Sequence, residues 1–161
     1  MLGKKLDSVY KLRRTEREIL RALQRDGRMS NVELAERVGL SESPCLRRVR
    51  ALEEAGVIRG YTATVDRRRI GLDVMAYIQV NLDQRSESDT QKFLDAVGRE
   101  DRIVECYAMS GTYDFLLKVV AHTIDEFSDL TMRRILRYPG VKDLSSAFAL
   151  EEIKHSRALP L

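Results

Sequence analysis

Apolar residues recur at helical spacing over the first third of the chain, from Thr15 to Ile58. The first helix of this region is predicted to begin at Thr15, whose hydroxyl can cap a helix. Glu18 stands three residues further on and completes the capping-box pattern. Gly27 is predicted to end this helix, because glycine readily adopts the backbone conformation found just after a helix.

Two more short helices are predicted directly after the first. The second begins at Ser30, which forms another capping box with Glu33, and it ends at Gly39. The third carries Pro44 in its first turn, where the missing N–H of proline costs nothing, and it ends at Gly56. Two short helices joined by a tight turn are typical of a helix-turn-helix, whose second helix enters the DNA major groove. A small β wing is predicted over residues 58–65.

The pattern changes to strand-like alternation after Asp73, where apolar residues occupy every second position from Val74 to Leu82. A polar segment from Ser86 to Asp89 then leads into a helix that holds Phe93 and Val97. The remaining predicted elements are strands over Ile103–Met109 and Asp114–Ala121, a helix over Ile124–Arg137 and a strand over Leu144–Leu150. The order β-α-β-β-α-β is that of ferredoxin-like domains.

The chain is therefore predicted to be an α+β protein, with an N-terminal winged helix-turn-helix and a ferredoxin-like βαββαβ domain behind it. The predicted boundaries are 1–65 for the first domain, 66–72 for a linker and 73–161 for the second domain. Two helices cover only one face of such a sheet, yet Phe115–Ala121 is apolar on both faces. Because the uncovered face needs a partner, we predict a homodimer that forms through the sheet.

Charge is distributed unevenly along the chain. Residues 1–69 contain 17 Lys and Arg against 10 Asp and Glu, a net of +7, whereas residues 70–161 contain 11 against 15, a net of −4. A basic first part and an acidic second part indicate that only the first part contacts a polyanion. A merely solvated basic surface is the alternative that charge alone leaves open.

The third predicted helix has the arrangement of a DNA-reading helix. At 3.6 residues per turn, Cys45, Val49 and Leu52 fall on one side and form a core-facing stripe. Arginines on the opposite side can fork onto guanine or pair with phosphates, and serines at the helix start suit a phosphate. The candidate DNA-binding residues are Ser41, Ser43, Arg47, Arg50 and, flanking them, Arg48. The alternative is that these arginines form an ordinary solvated helix face.

Several classes of protein are disfavoured by the sequence. No apolar run approaches the roughly 18 residues of a membrane span, and the start lacks a signal-peptide pattern, so we predict a cytoplasmic protein. Cys45 and Cys106 have neither disulfide nor zinc spacing, and His122 and His155 stand alone, so no metal or cofactor is expected. Hydrolase, phosphate-loop and metalloprotease motifs are absent, which argues against an enzyme.

The stretch SNVELAERVGLSESPCLRRVRALEEAGVIRGYTA, residues 30–63, closely resembles the DNA-binding domain of the leucine-responsive/asparagine-responsive (Lrp/AsnC) family of feast/famine regulators. GLDVMAYIQV is similar to the family's linker and first sensor strand. SGTYDFLLKV is similar to its effector-loop segment, and YPGVKDLSSAFALEEIK to its closing strand. The resemblance covers essentially the whole chain after residue 12, and the GLS-x-S-P-C-L-x-R-V-x-x-L-E run is highly specific.

This resemblance implies a sequence-specific transcriptional regulator of amino-acid metabolism, whose DNA binding or assembly responds to an amino-acid effector. The implied partners are palindromic double-stranded DNA, a free amino acid bound between sensor domains, and further copies of the chain, as dimers that commonly assemble into octamers. The implied location is the nucleoid. A nucleoid-type architectural protein without an effector is the alternative, because the same arginines would serve non-specific DNA binding.

The family's effector motif maps onto one segment of this chain. Asp114 would receive the ammonium group of a free amino acid, and Gly111 would let main-chain N–H groups approach its carboxylate. A hairpin turn at Gly111 that Asp114 merely caps is an equal alternative on the residues alone. The candidate effector-binding residues are Ser110, Gly111, Thr112, Tyr113 and Asp114, with Ser145 and Ser146 completing the polar rim across the subunit interface.

Apolar walls for this pocket would come from Tyr107, Met109 and Leu136. The expected ligand is therefore a neutral aliphatic or sulfur-containing amino acid. Two departures from the family pattern are notable. Arg13 and Arg14 stand where an acidic residue is usual, which adds positive charge near the DNA side. Arg67 stands where an Asp-Pro turn is common, so a less rigid linker is expected.

Overall fold

The computed structural model of the chain describes residues 9–83, 87–154, 156 and 158–161. These residues fall into two compact units. The first contains the chain up to Thr64 together with Lys154–Leu161, and the second is Val65–Ile153. The division falls near residue 65, the predicted end of the first domain. The segment 154–161 differs, because it belongs to the first unit although the predicted second domain extended to residue 161.

Three helices make up most of the first unit: α1 (Arg14–Arg25), α2 (Asn31–Val38) and α3 (Glu42–Glu54). They pack around an apolar core in which Ile19, Cys45 and Leu52 are 0% exposed. Complete burial of a side chain of this size stabilises the folded state by about 1.5–3 kcal/mol. The apolar stripe predicted for the third helix is thus the face that holds α3 in place.

The predicted cap of α2 is confirmed. The Ser30 hydroxyl accepts a hydrogen bond from the N–H of Glu33 (3.2 Å), and the Glu33 carboxylate accepts one from the N–H of Ser30 (2.8 Å). Hydrogen bonds from the Ser30 hydroxyl and N–H hold the pKa of the Glu33 carboxyl below its ordinary value. Gly39 then ends α2 in the left-handed conformation, with φ of 68°, which glycine adopts without strain.

The start of α1 differs from the prediction. The helix begins at Arg14 with Arg13 in the N-cap position, so the predicted box of Thr15 and Glu18 is wrong. Instead, the carboxylate of Glu16 accepts a hydrogen bond from the N–H of Arg13 (2.8 Å). Glu16 is only 6% exposed, so its burial, and not the capping preference of Thr15, determines where the first turn forms.

The segment after α3, where a small β wing was predicted, contains no strand over residues 58–65. The segment is held by a side chain. The Tyr61 hydroxyl donates a hydrogen bond to the Glu53 carboxylate (3.0 Å), and its ring lies against Gly27. Partial burial and the contact with Glu53 raise the pKa of Tyr61 to about 12. Tyr61 therefore ties this segment to α3 without strand pairing.

Residues 158–161 pack on α1. The Gln24 side chain accepts a hydrogen bond from the N–H of Leu159 and donates one to its carbonyl oxygen (3.2 Å). Arg21 donates to the main-chain oxygen of Leu161, whose side chain packs against the core of the first unit. One glutamine amide thus satisfies both main-chain groups of Leu159, which explains why this segment joins the first unit.

The second unit follows the predicted element order. A helical segment continues from the helix Ile124–Asp129 through a π turn at Leu130–Arg134 and a 3₁₀ turn at Ile135–Arg137, as the predicted helix over Ile124–Arg137 required. The predicted lead-in at Ser86 lies outside the described residues. The elements are β1 (Val74–Leu82), α4 (Glu87–Gly98), β2 (Ile103–Ala108), β3 (Phe115–Ala121), α5 (Ile124–Asp129) and β4 (Val141–Phe148).

The four strands form one antiparallel sheet in the order β2-β3-β1-β4, which confirms the ferredoxin-like plan. One face packs against the helices, and Ile78, Leu117 and Phe93 are fully buried there. The strand β4 covers 141–148 instead of the predicted 144–150, because its pairing with β1 runs from Val141 to Phe148. The ends of β4 therefore depend on its pairing with β1, which cannot be predicted from the sequence of β4 alone.

The opposite face of the sheet is mixed in character. Tyr77 is 37% exposed and Tyr107 is 51% exposed on this face. Between them, the Lys118 ammonium forms an ion pair with the Glu105 carboxylate (3.1 Å). The face is therefore an amphipathic surface, because Lys118 interrupts the apolar character predicted for both faces of β3.

The linker before β1 is locally ordered. The Arg67 guanidinium donates to the carbonyl oxygens of Leu72 (2.7 Å) and Asp73 (2.9 Å), across the 3₁₀ turn Arg68–Ile70. Asp66 accepts a hydrogen bond from the N–H of Arg68 (3.0 Å) at the start of the same turn. The hydrogen bonds of the Arg67 side chain thus hold the linker in a defined conformation, although the sequence predicted a less rigid one.

Candidate DNA-binding surface and effector site

The helix α3 is held in place by its buried face and by a contact at its N-terminal end. Its buried face contributes Cys45 and Leu52 to the core of the first unit. At its start, the side-chain amide of Asn31 in α2 donates a hydrogen bond to the carbonyl oxygen of Glu42 (3.0 Å). The two helices of the predicted helix-turn-helix are therefore fixed to each other by a core and by a polar contact.

The opposite face of α3 is available for binding. Ser43, Arg47 and Arg50 are all exposed, as the helical spacing predicted. Neither arginine forms an ion pair with any residue that the structure describes. A shallow surface depression of about 450 Å³ is lined by Ser43, Leu46, Arg47, Arg50, Ala51 and Glu54. The geometry thus presents two free guanidinium groups on one face of a rigid helix.

Arg48 has different surroundings. Its side chain is 29% exposed, and its Nη1 atom lies 3.9 Å from the Glu16 carboxylate of α1. The Nε atom of Arg48 is buried without a hydrogen-bond partner among the described residues. Arg48 therefore joins α3 to α1, a contact that the spacing within one helix could not reveal.

Ser41 occupies the N-cap of α3, with φ of −78° and ψ of 159°. Its hydroxyl makes no capping hydrogen bond, and both Ser41 and Ser43 are exposed. The first N–H groups of a helix have no partner within the helix. An anion at this end would therefore meet main-chain donors as well as two hydroxyl groups.

In the second unit, residues 110–114 form the connection between β2 and β3. The N–H of Met109 donates to the carbonyl oxygen of Asp114 (2.9 Å), which closes the turn. Gly111 has φ of 139°, a conformation that L-residues rarely adopt, and nothing lies within 4 Å of the position of a Cβ atom there. Ser110 and Thr112 are exposed on either side. The predicted effector turn is thus an open, glycine-dependent loop.

Asp114 is tied to the end of β1. Its N–H donates to the carbonyl oxygen of Val80 (3.0 Å), and its carboxylate accepts a hydrogen bond from the N–H of Leu82 (2.9 Å). The pairing of β1 with β4 shifts register between Asn81 and Leu82. Asp114 therefore has the structural role that the sequence left open beside ligand binding.

Ser145 and Ser146 do not meet this turn within one copy of the chain. Ser145 pairs with Gln79 and Ser146 with Ile78, so β1 separates both serines from β3. Successive residues of a strand also point to opposite faces. The seven candidate effector residues are therefore divided between two places in a single subunit.

The residues predicted as walls are partly exposed. Tyr107 is 51%, Met109 38% and Leu136 40% exposed. The Tyr107 hydroxyl donates to the Glu105 carboxylate (2.8 Å), and this bond raises the pKa of Tyr107. The sequence prediction missed Glu105 as a neighbour of this region. The available signal was the pair of opposite charges, Glu105 and Lys118, in two adjacent predicted strands, because opposite charges tend to face each other across neighbouring strands.

Two negative findings concern the described part of the chain. Its residues include no group of three or more His, Cys, Asp or Glu side chains that could hold a metal ion. His122 is exposed, with its ring Nδ1 atom 2.9 Å from the carbonyl oxygen of Gly71, and His155 lies outside the described residues. No helix among the residues searched is long and apolar enough to cross a membrane.

Comparison with known proteins addresses both units. Residues 12–59 match the family model described as winged helix-turn-helix DNA-binding. Residues 75–159 match the model described as the Lrp/AsnC ligand binding domain. The leucine-responsive regulatory proteins of Klebsiella pneumoniae and Escherichia coli strain K12 are each 40% identical over 157 residues, which cover 98% of this chain and 92% of theirs. This chain belongs to the Lrp/AsnC family.

Solved structures of relatives agree with this membership. A Neisseria meningitidis transcriptional regulator, crystallised as its complex with L-Met, is 38% identical with a TM-score of 0.90, covering 93% of this chain and 97% of that one. An AsnC family regulator from Agrobacterium tumefaciens is 37% identical with a TM-score of 0.87, covering 92% and 97%. The Lrp/AsnC protein described here is thus a DNA-binding transcriptional regulator with an amino-acid-binding domain.

Proposed function

We propose that α3 reads DNA in the major groove, with Arg47 and Arg50 contacting base edges or phosphates. The observation that supports this most directly is that both guanidinium groups are exposed and have no ion-pair partner among the described residues, on a helix whose other face buries Cys45 and Leu52. Ser41 and Ser43 contact a phosphate at the start of α3. Arg48 contributes more to positioning α3, through Glu16, than to DNA contact.

The DNA target is a palindromic duplex bound by a dimer. A two-fold dimer requires two half-sites about 10 base pairs apart, or a multiple of that spacing. The face of the sheet that carries Tyr77 and Tyr107 is the dimer surface, because it is amphipathic and the helices cover the other face. Dimers assemble further into octamers, as family resemblance implies. The protein acts in the cytoplasm, at the nucleoid.

The effector is a free, neutral amino acid, aliphatic or sulfur-containing. The Neisseria meningitidis relative in complex with L-Met supports this class of ligand. Asp114 and the turn at Gly111 hold the ammonium and carboxylate groups. Because β1 separates Ser145 and Ser146 from that turn, these serines complete the rim of a site on another subunit. The chain catalyses no reaction.

The experiment is thermal unfolding of the full chain with each of the twenty amino acids in turn. A ligand at about 100 times its dissociation constant stabilises the folded state by roughly 2.7 kcal/mol, which raises the midpoint by several degrees. A selective shift that Asp114→Asn abolishes, with the unliganded midpoint unchanged, supports the effector site. If no amino acid shifts the midpoint, the architectural alternative is favoured.

DNA affinity separates the remaining alternatives. A sequence-specific regulator binds the DNA upstream of its own gene more tightly than a random duplex of equal length at one salt concentration. An architectural protein binds both duplexes equally well, since phosphate contacts carry no sequence information. Protection of a single isolated half-site by a monomer would contradict the dimeric mode of binding.

A further inference from the structure

A group of exposed cationic side chains surrounds the start of α1. The α1 basic cluster consists of Lys11, Arg13, Arg14 and Arg17, all of which are exposed. None of the four forms an ion pair with a residue that the structure describes. The cluster thus adds four uncompensated positive charges to the unit that carries α3.

The stability of α1 does not explain these charges. The positive end of the helix dipole lies at the N-terminus, where cations are unfavourable. Arg13 and Arg17 are four residues apart and Arg14 and Arg17 three apart, so like charges also repel along the helix surface. Arg13 occupies the N-cap, yet a guanidinium group has no acceptor with which to cap a helix. The cluster opposes the helix that carries it.

The one acidic residue of the first turn does not neutralise the cluster. Glu16 is 6% exposed, and its carboxylate receives the N–H of Arg13 and the hydroxyl of Tyr10 (3.4 Å). The same carboxylate lies 3.9 Å from the guanidinium of Arg48 in α3. The first turn of α1 therefore contacts the middle of α3 through the side chains of Glu16 and Arg48. The α1 basic cluster consequently lies beside the candidate recognition helix.

We propose that the α1 basic cluster is a second DNA-contacting surface, which binds backbone phosphates beside the groove that α3 enters; this inference rests on the proposed function of α3. A helix in the major groove lies between two phosphate ridges, so a cationic surface attached to its side meets one of them. Contacts with phosphates position a protein on the duplex and carry no sequence information. The cluster therefore adds affinity without adding specificity.

The salt dependence of binding tests this surface directly. We compare the full-length wild type with the Arg13→Ala/Arg14→Ala/Arg17→Ala variant on the duplex upstream of its own gene and on a random duplex of equal length. The logarithm of the binding constant falls with the logarithm of salt concentration with a slope of about −0.9 per phosphate contact. The variant is expected to lose about 0.9 of slope for each contact removed, up to about 2.7. The ratio of affinities for the two duplexes is expected to stay unchanged.

A matched control removes three other exposed arginines of the same unit, in the variant Arg25→Ala/Arg28→Ala/Arg37→Ala. Both variants lose three positive charges, and Arg25 lies eleven residues beyond Arg14, about 16 Å along the helix. The control is expected to keep the wild-type slope. An equal loss of slope in the control would overturn the proposal, because general attraction to the duplex would then explain the effect.

A second variant, Arg13→Lys/Arg14→Lys/Arg17→Lys, keeps the charges and is expected to keep the slope, since lysine also binds phosphate as a point charge. A lysine variant no better than the alanine variant would contradict phosphate contact. Wild-type slope in the alanine variant, or a changed affinity ratio between the duplexes, would do the same. If the wild type binds neither duplex, the proposed function of α3 fails and this inference with it, whereas normal binding by both triple-alanine variants overturns this inference alone.

Discussion

Arg47 and Arg50 of the first unit project from α3 without an ion-pair partner among the described residues, whereas Arg102 and Arg134 of the second unit both contact the carboxylate of Glu100. Glu100 is 9% exposed, and Arg102 approaches it through Nε (2.7 Å) and Nη2 (3.0 Å). The hydrogen bond with Glu100 raises the pKa of Arg102. The same residue type is thus left without a partner on the exposed face of α3 and is satisfied beside Glu100.

This difference shows how charge is divided between binding and stability. An arginine held by a buried carboxylate keeps a fixed geometry but cannot attract a polyanion. A free arginine contributes nothing to folding, yet it can exchange its counterions for DNA phosphates. The net charges of +7 and −4 in the two halves of the sequence reflect this division of roles.

The largest expected effect comes from removing the shared carboxylate. Glu100→Gln is expected to lower the free energy of unfolding by about 2–3 kcal/mol, because Arg102 is left partly buried beside a neutral side chain. This value is below that of a fully buried pair, since Arg134 is half exposed. Urea unfolding measures it, and DNA affinity should not change. The control Asp129→Asn, which removes an exposed i,i+4 pair with Arg133, is expected to cost at most about 0.5 kcal/mol.

A somewhat smaller effect, on DNA binding alone, is expected from the free arginines. Arg50→Ala is expected to weaken specific binding by roughly 1–3 kcal/mol if the side chain reads a base, and to leave the midpoint of thermal unfolding unchanged. Fluorescence anisotropy with the specific duplex measures the affinity, and Arg25→Ala serves as the control. Unaltered affinity in Arg50→Ala would place this residue on an ordinary solvated face.

Lowering the pH is expected to reduce mainly the stability of the second unit, where the carboxylates of Glu100 and Glu126 are held by hydrogen bonds. The hydrogen bond from Arg102 holds the pKa of Glu100 below its ordinary value, and the main-chain hydrogen bond from His122 does the same for Glu126. A lowered folded-state pKa contributes stability that is present above the unfolded-state pKa, about 4.3 for glutamate, and lost as pH falls through the folded value. Urea unfolding at pH 6 and pH 4 should therefore show a smaller loss of stability in Glu100→Gln than in the wild type. An equal loss of stability in the variant and the wild type would mean that protonation of Glu100 does not cause the acid sensitivity.

The smallest effect is expected at Arg13, where a single substitution should change stability and DNA binding in opposite directions. Arg13→Asp replaces a cation in the N-cap of α1 with a residue that caps helices well, so it is expected to stabilise the protein by about 0.5–1 kcal/mol. The same change is expected to weaken DNA binding, because it removes one charge of the α1 basic cluster and adds an opposite one. Calorimetry and salt-dependent anisotropy measure the two effects. A variant that gains stability and keeps its affinity would indicate that Arg13 does not contact DNA.

Local patterns in the sequence predicted much of what the structure contains. The capping box of Ser30, the turn at Gly39 and the alternation in β1 each depend on residues close in the chain. The exposed arginines of α3 and the open turn at Gly111 also follow from spacing within one element. Short-range hydrogen bonding and helical or strand periodicity are sufficient for such predictions.

Only tertiary structure decided the features that join distant segments. Glu16 shifts the start of α1 because it is buried beside Arg48, 32 positions later in the sequence. Gln24 binds the main chain of Leu159, which brings residues 158–161 to the first unit. Asp114 is held by Leu82 at the end of another strand. Each contact depends on which surfaces meet after folding, and neither propensity nor periodicity carries that information. The sequence therefore determined the elements and their chemistry, and packing determined which charged groups stay free to bind.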